Sequence, residues 1–330
     1  MYEIREQAKH YLQFCKYQRG LSYNTIRNYN FDLKFFIQFL LENNFPLFCD
    51  QISKKVLESY LESLTKKYKV KTVKRKMACI HAFFTYLEEE EIIENNPFRK
   101  FKVRLKEGYR KPRSLTLNEM DHFLQTAYED EYALVARPVV NKLKTARLFK
   151  LKTVSRGFTW CRDVAIMELL FAAGLRVAEL CNLRFEDYDE VEHTLHIIGK
   201  GNRERYIYLE NYQVKKIFKD YLVMRKAVGI NLPYIFVTKF HKKMSTQAVR
   251  NIITKYAERS GINKKITPHV FRHSFATLLL ESGVDIKYIQ DFLGHSTIAT
   301  TQIYLHISDQ QKRKVLATKH PREIMHATGF

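Results

Sequence analysis

The sequence predicts a mainly α protein of two domains, a helical one over residues 1–105 and a mixed α/β one with a small sheet over 114–330. Three observations predict it. The chain has 330 residues, more than one ordinary domain of about 100–200 residues needs. Apolar residues in its first hundred positions recur at helical spacing. That spacing is lost from Phe101 to Arg113, where Gly108 and Pro112 break any helix, so residues 106–113 read as a basic linker.

Ser22 is placed to cap a helix in which Ile26, Tyr29, Leu33, Phe36 and Leu40 follow three and four apart. From Val73 to Leu87, the residues Met77, Ile80, Phe83, Phe84 and Leu87 share one face, and Lys74, Arg75 and Lys76 are assigned to the other. Asn95-Asn96-Pro97 ends this helical module. Thr116 with Glu119 forms a capping box that opens the second domain. Ala165 to Leu183 is apolar enough for a buried helical region, bent or ended near Gly174. Thr194–Ile198 and Arg205–Leu209 read as strands of a hairpin, with Lys200 near its tip. Thr267 and Pro268 then cap and start a helix that ends at Gly283. Asp285 caps another running to Leu293, which Gly294 stops; Ser296 or Thr297 caps the next, which carries Tyr304.

Charge points to partners. There are 56 Lys plus Arg against 35 Asp plus Glu, a net of +21, and a polyanion is the first candidate. The surplus is shared: residues 1–113 hold 23 basic and 13 acidic residues, and the remainder 33 and 22. Basic residues cluster at 66–76, 99–113 and 137–156. Cys15, Cys49, Cys79, Cys161 and Cys181 are odd in number and stand in no metal or redox spacing, which fits a reducing cytoplasm. The N-terminus lacks a signal-peptide pattern, and the longest apolar run, 167–175, is interrupted by Glu168 and too short for a membrane span of about 20 residues.

Six residues could share one chemistry. Arg176 sits in an apolar stretch and must be paired or face a site; Glu179, three residues on, is a ready partner. Lys200 lies between glycines, without the glycine spacing of a P-loop. His269 and Arg272 lie three apart in the first turns of their helix, whose free N–H groups suit a phosphate. His295 follows Gly294, and Tyr304 follows nine residues later; the short helices and tight turn there also fit an ordinary helix-turn-helix. Cations and donors stabilise a pentavalent phosphorane, and a hydroxyl can attack phosphorus. No Asp/Glu cluster at metal-ligand spacing is visible, which disfavours a metal-dependent nuclease.

In this order, Ala173-Gly-Leu-Arg-Val-Ala-Glu-Leu180, Gly199-Lys-Gly-Asn-Arg-Glu-Arg205, Thr267-Pro-His-Val-Phe-Arg-His-Ser-Phe-Ala-Thr277 and Leu293-Gly-His295 with Tyr304 resemble the tyrosine recombinase (phage integrase) family, close to its Xer branch. Gly20 to Tyr29 looks like the family's SAM-like core-binding domain, and His320-Pro-Arg322 like an Xer C-terminus. The resemblance covers nearly the whole chain. It implies a C-shaped clamp on double-stranded DNA, with the catalytic domain over 114–330. Tyr304 would attack the scissile phosphodiester and form a 3′-phosphotyrosyl link. Arg176, Arg272 and His295 would hold the phosphate, Lys200 would protonate the leaving 5′-oxygen, and His269 would assist proton transfer near the tyrosine. No metal, ATP or other cofactor is implied. Four subunits would exchange strands through a Holliday junction, and the resemblance leaves room for a regulatory protein partner. Lys71, Lys74, Arg75, Lys76, Arg110, Lys111 and Arg113 are the further DNA-binding candidates.

Two features depart from the family pattern. A stretch around 137–156, free of acids, reads as an insertion touching DNA or a neighbouring subunit, or as a loose basic loop. The tail, 305–330, carries a helix capped by Ser308 with Gln311 that in the family docks on the next subunit, and residues 323–330 extend past the usual end. Two other functions fit some of these residues: a non-catalytic architectural DNA-binding module, and a type IB topoisomerase-like enzyme. The intact residue set speaks against the first, and the core-binding domain and tail against the second.

Overall fold

The computed structural model describes residues 2–103, 105, 114–130, 151–199, 204–294 and 309–325, without the side chains of 151–156, 309–311 and 324. The chain forms two compact units, Met1–Arg110 and Lys111–Phe330. Arg110, Lys111, Arg113, Lys200, His295 and Tyr304 lie outside the described residues, as does 137–150 of the expected insertion.

In the N-terminal unit α1 (Ile4–Tyr17), α2 (Tyr23–Glu42), α3 (Lys54–Lys67) and α4 (Val70–Glu89) pack on one another. Ser22 Oγ accepts the Thr25 N–H at 3.3 Å, so the expected cap starts α2. The core is rich in rings: Tyr11, Phe36, Tyr60, Phe83 and Phe84 are fully buried. After α4, Asn96 caps a short 3-10 turn over Pro97–Lys100, and Phe98 and Phe101 from this region fold back onto the core.

The C-terminal unit opens with α5 (Leu117–Tyr128). Its capping box is closed in both directions, with Thr116 N–H to Glu119 Oε2 at 2.8 Å and Glu119 N–H to Thr116 Oγ1 at 3.3 Å. The long α6 (Leu151–Ala172) is the centre of this unit, buried almost all round from Phe158 to Phe171. Its first residues, 151–156, belong to the stretch expected as an insertion. The helical region breaks at Gly174, as its φ of +55° requires, and resumes as α7 (Val177–Asn182). A three-stranded antiparallel sheet follows: β1 (Tyr188–Asp189), β2 (Thr194–Ile198) and β3 (Glu204–Tyr208), with β2 in the middle. Then come α8 (Tyr212–Ala227), α9 (Thr246–Ser260), α10 (Pro268–Glu281), α11 (Ile286–Leu293) and α12 (Asp309–Lys319).

The end of the chain is anchored in its own unit. Arg313 of α12 donates to Glu192 Oε2 and Glu210 Oε1, both at 3.0 Å, and lies over the Tyr208 ring. Leu316 and Met325 join the core. The helix expected to dock on a neighbouring subunit is thus seated on its own sheet.

Candidate active site

Three elements meet at the C-terminal end of α11: the start of α7, strand β3 and helix α10. Gly294 stops this helix in the left-handed conformation, at φ +60°, which turns the last carbonyls outward. Each of three consecutive carbonyls is taken by a different arginine. Arg205 Nε donates to Phe292 O at 2.8 Å, Arg272 Nη2 to Leu293 O at 2.6 Å and Arg176 Nη2 to Gly294 O at 3.4 Å. Cations at this end of a helix also meet the negative end of its dipole.

Each arginine reaches the point from its own element. Arg176 is the residue that caps α7, and its own N–H donates to Glu179 Oε2 at 2.9 Å. Arg205 is the second residue of β3, facing inward beside Ile207. Arg272 stands one turn into α10, whose start is fixed by Thr267 and Pro268. His269 lies three residues earlier, exposed near the open N-terminus of α10. Ser274 further along α10 is fully buried and accepts the Leu115 N–H at 2.8 Å, tying α10 to the segment before α5.

One carboxylate serves the cluster. Glu179 accepts from Arg176 Nη1 at 2.8 Å and from both Nη groups of Arg205, at 3.2 and 2.8 Å. Burial alone would raise its pKa, but Arg205 and then Arg176 hold the carboxyl below its usual value. Among the described residues Arg272 has no such partner: its Nη groups donate to the carbonyls of Gly174, at 2.6 Å, and Leu293. Burial, and then the nearby Arg176, push the Arg272 guanidinium down to about 10. Among the described residues three cations against one carboxylate leave an excess of positive charge in a largely buried place. A guanidinium has five N–H groups, so Arg272 keeps donors for an anion. Arg176, about a third exposed at its side chain, is where the cluster meets solvent.

Gly174 is needed twice over. A side chain there would be strained by its positive φ, and a Cβ would sit 2.6 Å from the Phe275 ring. The glycine therefore lets α10 approach until Arg272 reaches the Gly174 carbonyl.

Of the six expected catalytic residues, the described structure brings Arg176 and Arg272 together and places His269 on the helix of Arg272. Two members of the cluster, Glu179 and Arg205, are not among the expected catalytic residues. The sequence offers Glu179 as a partner for Arg176 alone, and Arg205 only as the end of a motif. The signal for Arg205 was strand alternation, which sets an arginine on the inward face with Ile207.

The basic surface of the N-terminal unit needs one correction. Lys71, Lys74 and Arg75 are exposed, but Lys76 is buried. Its Nζ bonds Asp32 Oδ1 at 3.0 Å and lies 4.2 Å from the centre of the Phe35 ring. Asp32 also takes a bidentate pair from Arg75. Lys76 is thus part of the core between α2 and α4, and not a phosphate contact. Lys74 instead borders an open groove of about 430 Å³, together with Lys102 and His81.

Two family models match the chain: Phage integrase family over residues 147–311, and Phage integrase, N-terminal SAM-like domain over 8–91. A tyrosine recombinase of Agathobacter rectalis is 39% identical over 326 residues, covering 99% of this chain and all of the relative. The chain belongs to the tyrosine recombinase (phage integrase) family. This recombinase is therefore a DNA strand-transferring enzyme. It is also similar to tyrosine recombinase XerC of Leptospira interrogans, 32% identical over 96% of this chain and 94% of that one. XerD of Halalkalibacterium halodurans is 30% identical over 98% of this chain and its own full length. Among solved structures, the recombinase shares its fold with lambda integrase residues 75–356 bound to a COC′ core site (TM-score 0.65, 18% identity, 93% of this chain and 100% of that one). It shares it too with XerH bound to its difH substrate (TM-score 0.64, 19% identity, 94% and 84%). Among the described residues no helix is long and apolar enough to cross a membrane.

Proposed function

We propose that this enzyme performs site-specific recombination of duplex DNA by holding the scissile phosphate on the arginine cluster and attacking it with Tyr304. The observation that carries the reading is the cationic excess of Arg176, Arg205 and Arg272 over Glu179 beside the last carbonyls of α11. A phosphodiester brings the missing negative charge. The free N–H groups of Arg176 and Arg272 then bind its non-bridging oxygens and stabilise the charge that grows on them in the transition state.

In the reaction the Tyr304 oxygen bonds to phosphorus and the bond to the 5′-oxygen breaks. The tyrosine loses its proton, with His269 assisting, and Lys200 supplies one to the leaving oxygen. His295 donates to the phosphate. The assignments of Lys200, His295 and Tyr304 rest on their motifs. An ordinary tyrosine hydroxyl, with a pKa near 10, is a weak nucleophile, so the cations that favour the phenolate are part of its activation. The phosphotyrosyl link keeps the bond energy, and a 5′-hydroxyl of a second duplex reverses the step.

The wider reading follows from charge and family. The two domains, joined by the basic linker 106–113, each contact the duplex, since each carries a similar positive surplus. Lys71, Lys74 and Arg75 of the first, with Arg110, Lys111 and Arg113 of the linker, contact phosphates. Four copies act in the cytoplasm through a Holliday junction, and a regulatory protein partner has room to act on them.

The test is covalent capture. The enzyme is incubated with a pool of randomised duplexes carrying scattered nicks, so that cleavage beside a nick sheds a short strand and traps the adduct. Adducts surviving denaturation are sequenced to give the target site. Wild type should yield one enriched sequence and Tyr304→Phe none. No adduct from wild type would support an architectural module. Adduct and plasmid relaxation without two-site exchange would support a type IB activity.

A further inference from the structure

We propose that Arg205 is a positioning residue for the strand-cleavage step: it pins the end of α11, and so the segment that begins with His295, to the Arg176–Glu179 pair. This rests on the reading above that Arg176, Arg272, His295 and Tyr304 act on one phosphate.

The geometry singles out Arg205 within the cluster. Among the described residues Arg272 bonds only carbonyls, and Arg176 is partly exposed, so both have donors to give to a phosphate. Arg205 is engaged by protein at all three of its guanidinium nitrogens. Its side chain is 7% exposed, with both Nη groups on the Glu179 carboxylate and Nε on Phe292 O. Gly294 packs against the same guanidinium: a Cβ there would lie 3.2 Å from Arg205 Cδ and 3.3 Å from Nη1. Arg205 therefore ties together three parts of the site. They are the α7 start with Arg176, the β2–β3 hairpin that holds Lys200 in sequence, and the three residues that precede His295. When Arg176 and Arg272 turn donors toward DNA, Arg205 is the tie that need not let go.

Only a planar fork can do this. A lysine could pair with Glu179 but could not also span to the Phe292 carbonyl. The sequence kept an arginine where strand alternation calls for an apolar residue, on the same face as Ile207.

The experiment uses the duplex recovered by covalent capture and the full-length enzyme, and reads single-turnover cleavage, DNA affinity and Tm. Arg205→Lys should cleave about 10²-fold more slowly, the cost of a misplaced reacting group, with DNA affinity unchanged. Because Arg205→Met leaves a buried carboxylate and could unfold the unit, the charge pair is also removed whole. Glu179→Gln/Arg205→Met should match Glu179→Gln in Tm and affinity, yet cleave about 10²-fold more slowly than it. Equal cleavage by these two would show that Arg205 only neutralises Glu179, and would overturn the proposal. A loss of affinity that accounts for the slower cleavage would overturn it too, by making Arg205 a DNA contact. Tyr304→Phe is the control: an adduct with that variant would sink the reading of the site itself, whatever Arg205 does.

Discussion

Arg322 and Arg272 are both buried guanidiniums of the C-terminal unit, 2% and 8% exposed, but their surroundings differ. Arg322 meets Glu168 through Nε and Nη2, at 3.0 and 2.8 Å, and the Tyr128 hydroxyl completes that carboxylate at 2.8 Å. Burial would lower the Arg322 pKa, yet Glu168 carries it above the usual arginine value. The pair is balanced and closed to solvent, and its partners are all protein. Arg272 is held by the carbonyls of Gly174 and Leu293, beside a carboxylate that Arg176 and Arg205 already take, and its pKa falls instead. A balanced buried pair holds a fold together. A buried surplus costs the fold stability, and in the proposed function the phosphate offsets it.

The comparison can be broken at its structural end first. Arg322→Met leaves Glu168 uncompensated and should destabilise the C-terminal unit by about 3–5 kcal/mol, read by urea unfolding. Glu168→Gln added to it should restore most of the loss. If Arg322→Met unfolds like wild type, the pair is not structural.

At the other end, Arg272→Gln should leave Tm unchanged or raise it, because a poorly compensated charge is removed. Cleavage should fall by about 10²–10³, or about 2.7–4 kcal/mol of transition-state stabilisation. A fall in Tm comparable to that of Arg322→Met would erase the distinction between the two clusters.

A third prediction concerns pH. His320 is buried beside Arg322, its Nδ1 accepting the Arg322 N–H at 3.0 Å, and burial pushes it down to about 3 from 6.5. The unfolded chain thus takes a proton near pH 6.5 that the folded chain refuses until near 3. In that window the unfolded state binds more protons, so stability falls as pH drops. By pH 5 this should cost about 2 kcal/mol. The same urea titration on His320→Gln should show a shallower acid slope; equal slopes would remove His320 as the cause.

The smallest effect sharpens the functional cluster. Sulfate, as a phosphate mimic at about five times its Kd, should stabilise wild type by about 1 kcal/mol. The gain should be absent in Arg272→Gln, which also controls for general salting effects. A gain of the same size in both would place the anion elsewhere.

These two clusters also show what a sequence can disclose. Local devices were legible: the Ser22 cap, the Thr116–Glu119 box, the Thr267-Pro268 start and the Asp285–Gly294 limits of α11 all appear where the residues put them. The Arg176–Glu179 pair was legible as well, since three residues separate it. Pairings across the fold were not. Glu168 finds Arg322 across 154 residues, and Arg205 finds Phe292 across 87. Periodicity states that such residues face inward and leaves their partners open. For Lys76 the signal is present in the sequence: Val73, Lys76, Met77, Ile80, Phe83, Phe84 and Leu87 share one helical stripe. Counting faces by step puts Lys76 with the core, where Asp32 of α2 meets it.

The central claim is that the cationic surplus serves a tyrosine that exchanges strands between two DNA sites. The most direct measurement places two copies of the captured site in direct repeat on one plasmid, with purified enzyme, EDTA and no ATP. Wild type should excise the intervening circle and Tyr304→Phe should not. Excision by Tyr304→Phe, or a wild type that forms the covalent adduct yet never joins the two sites, would contradict that claim.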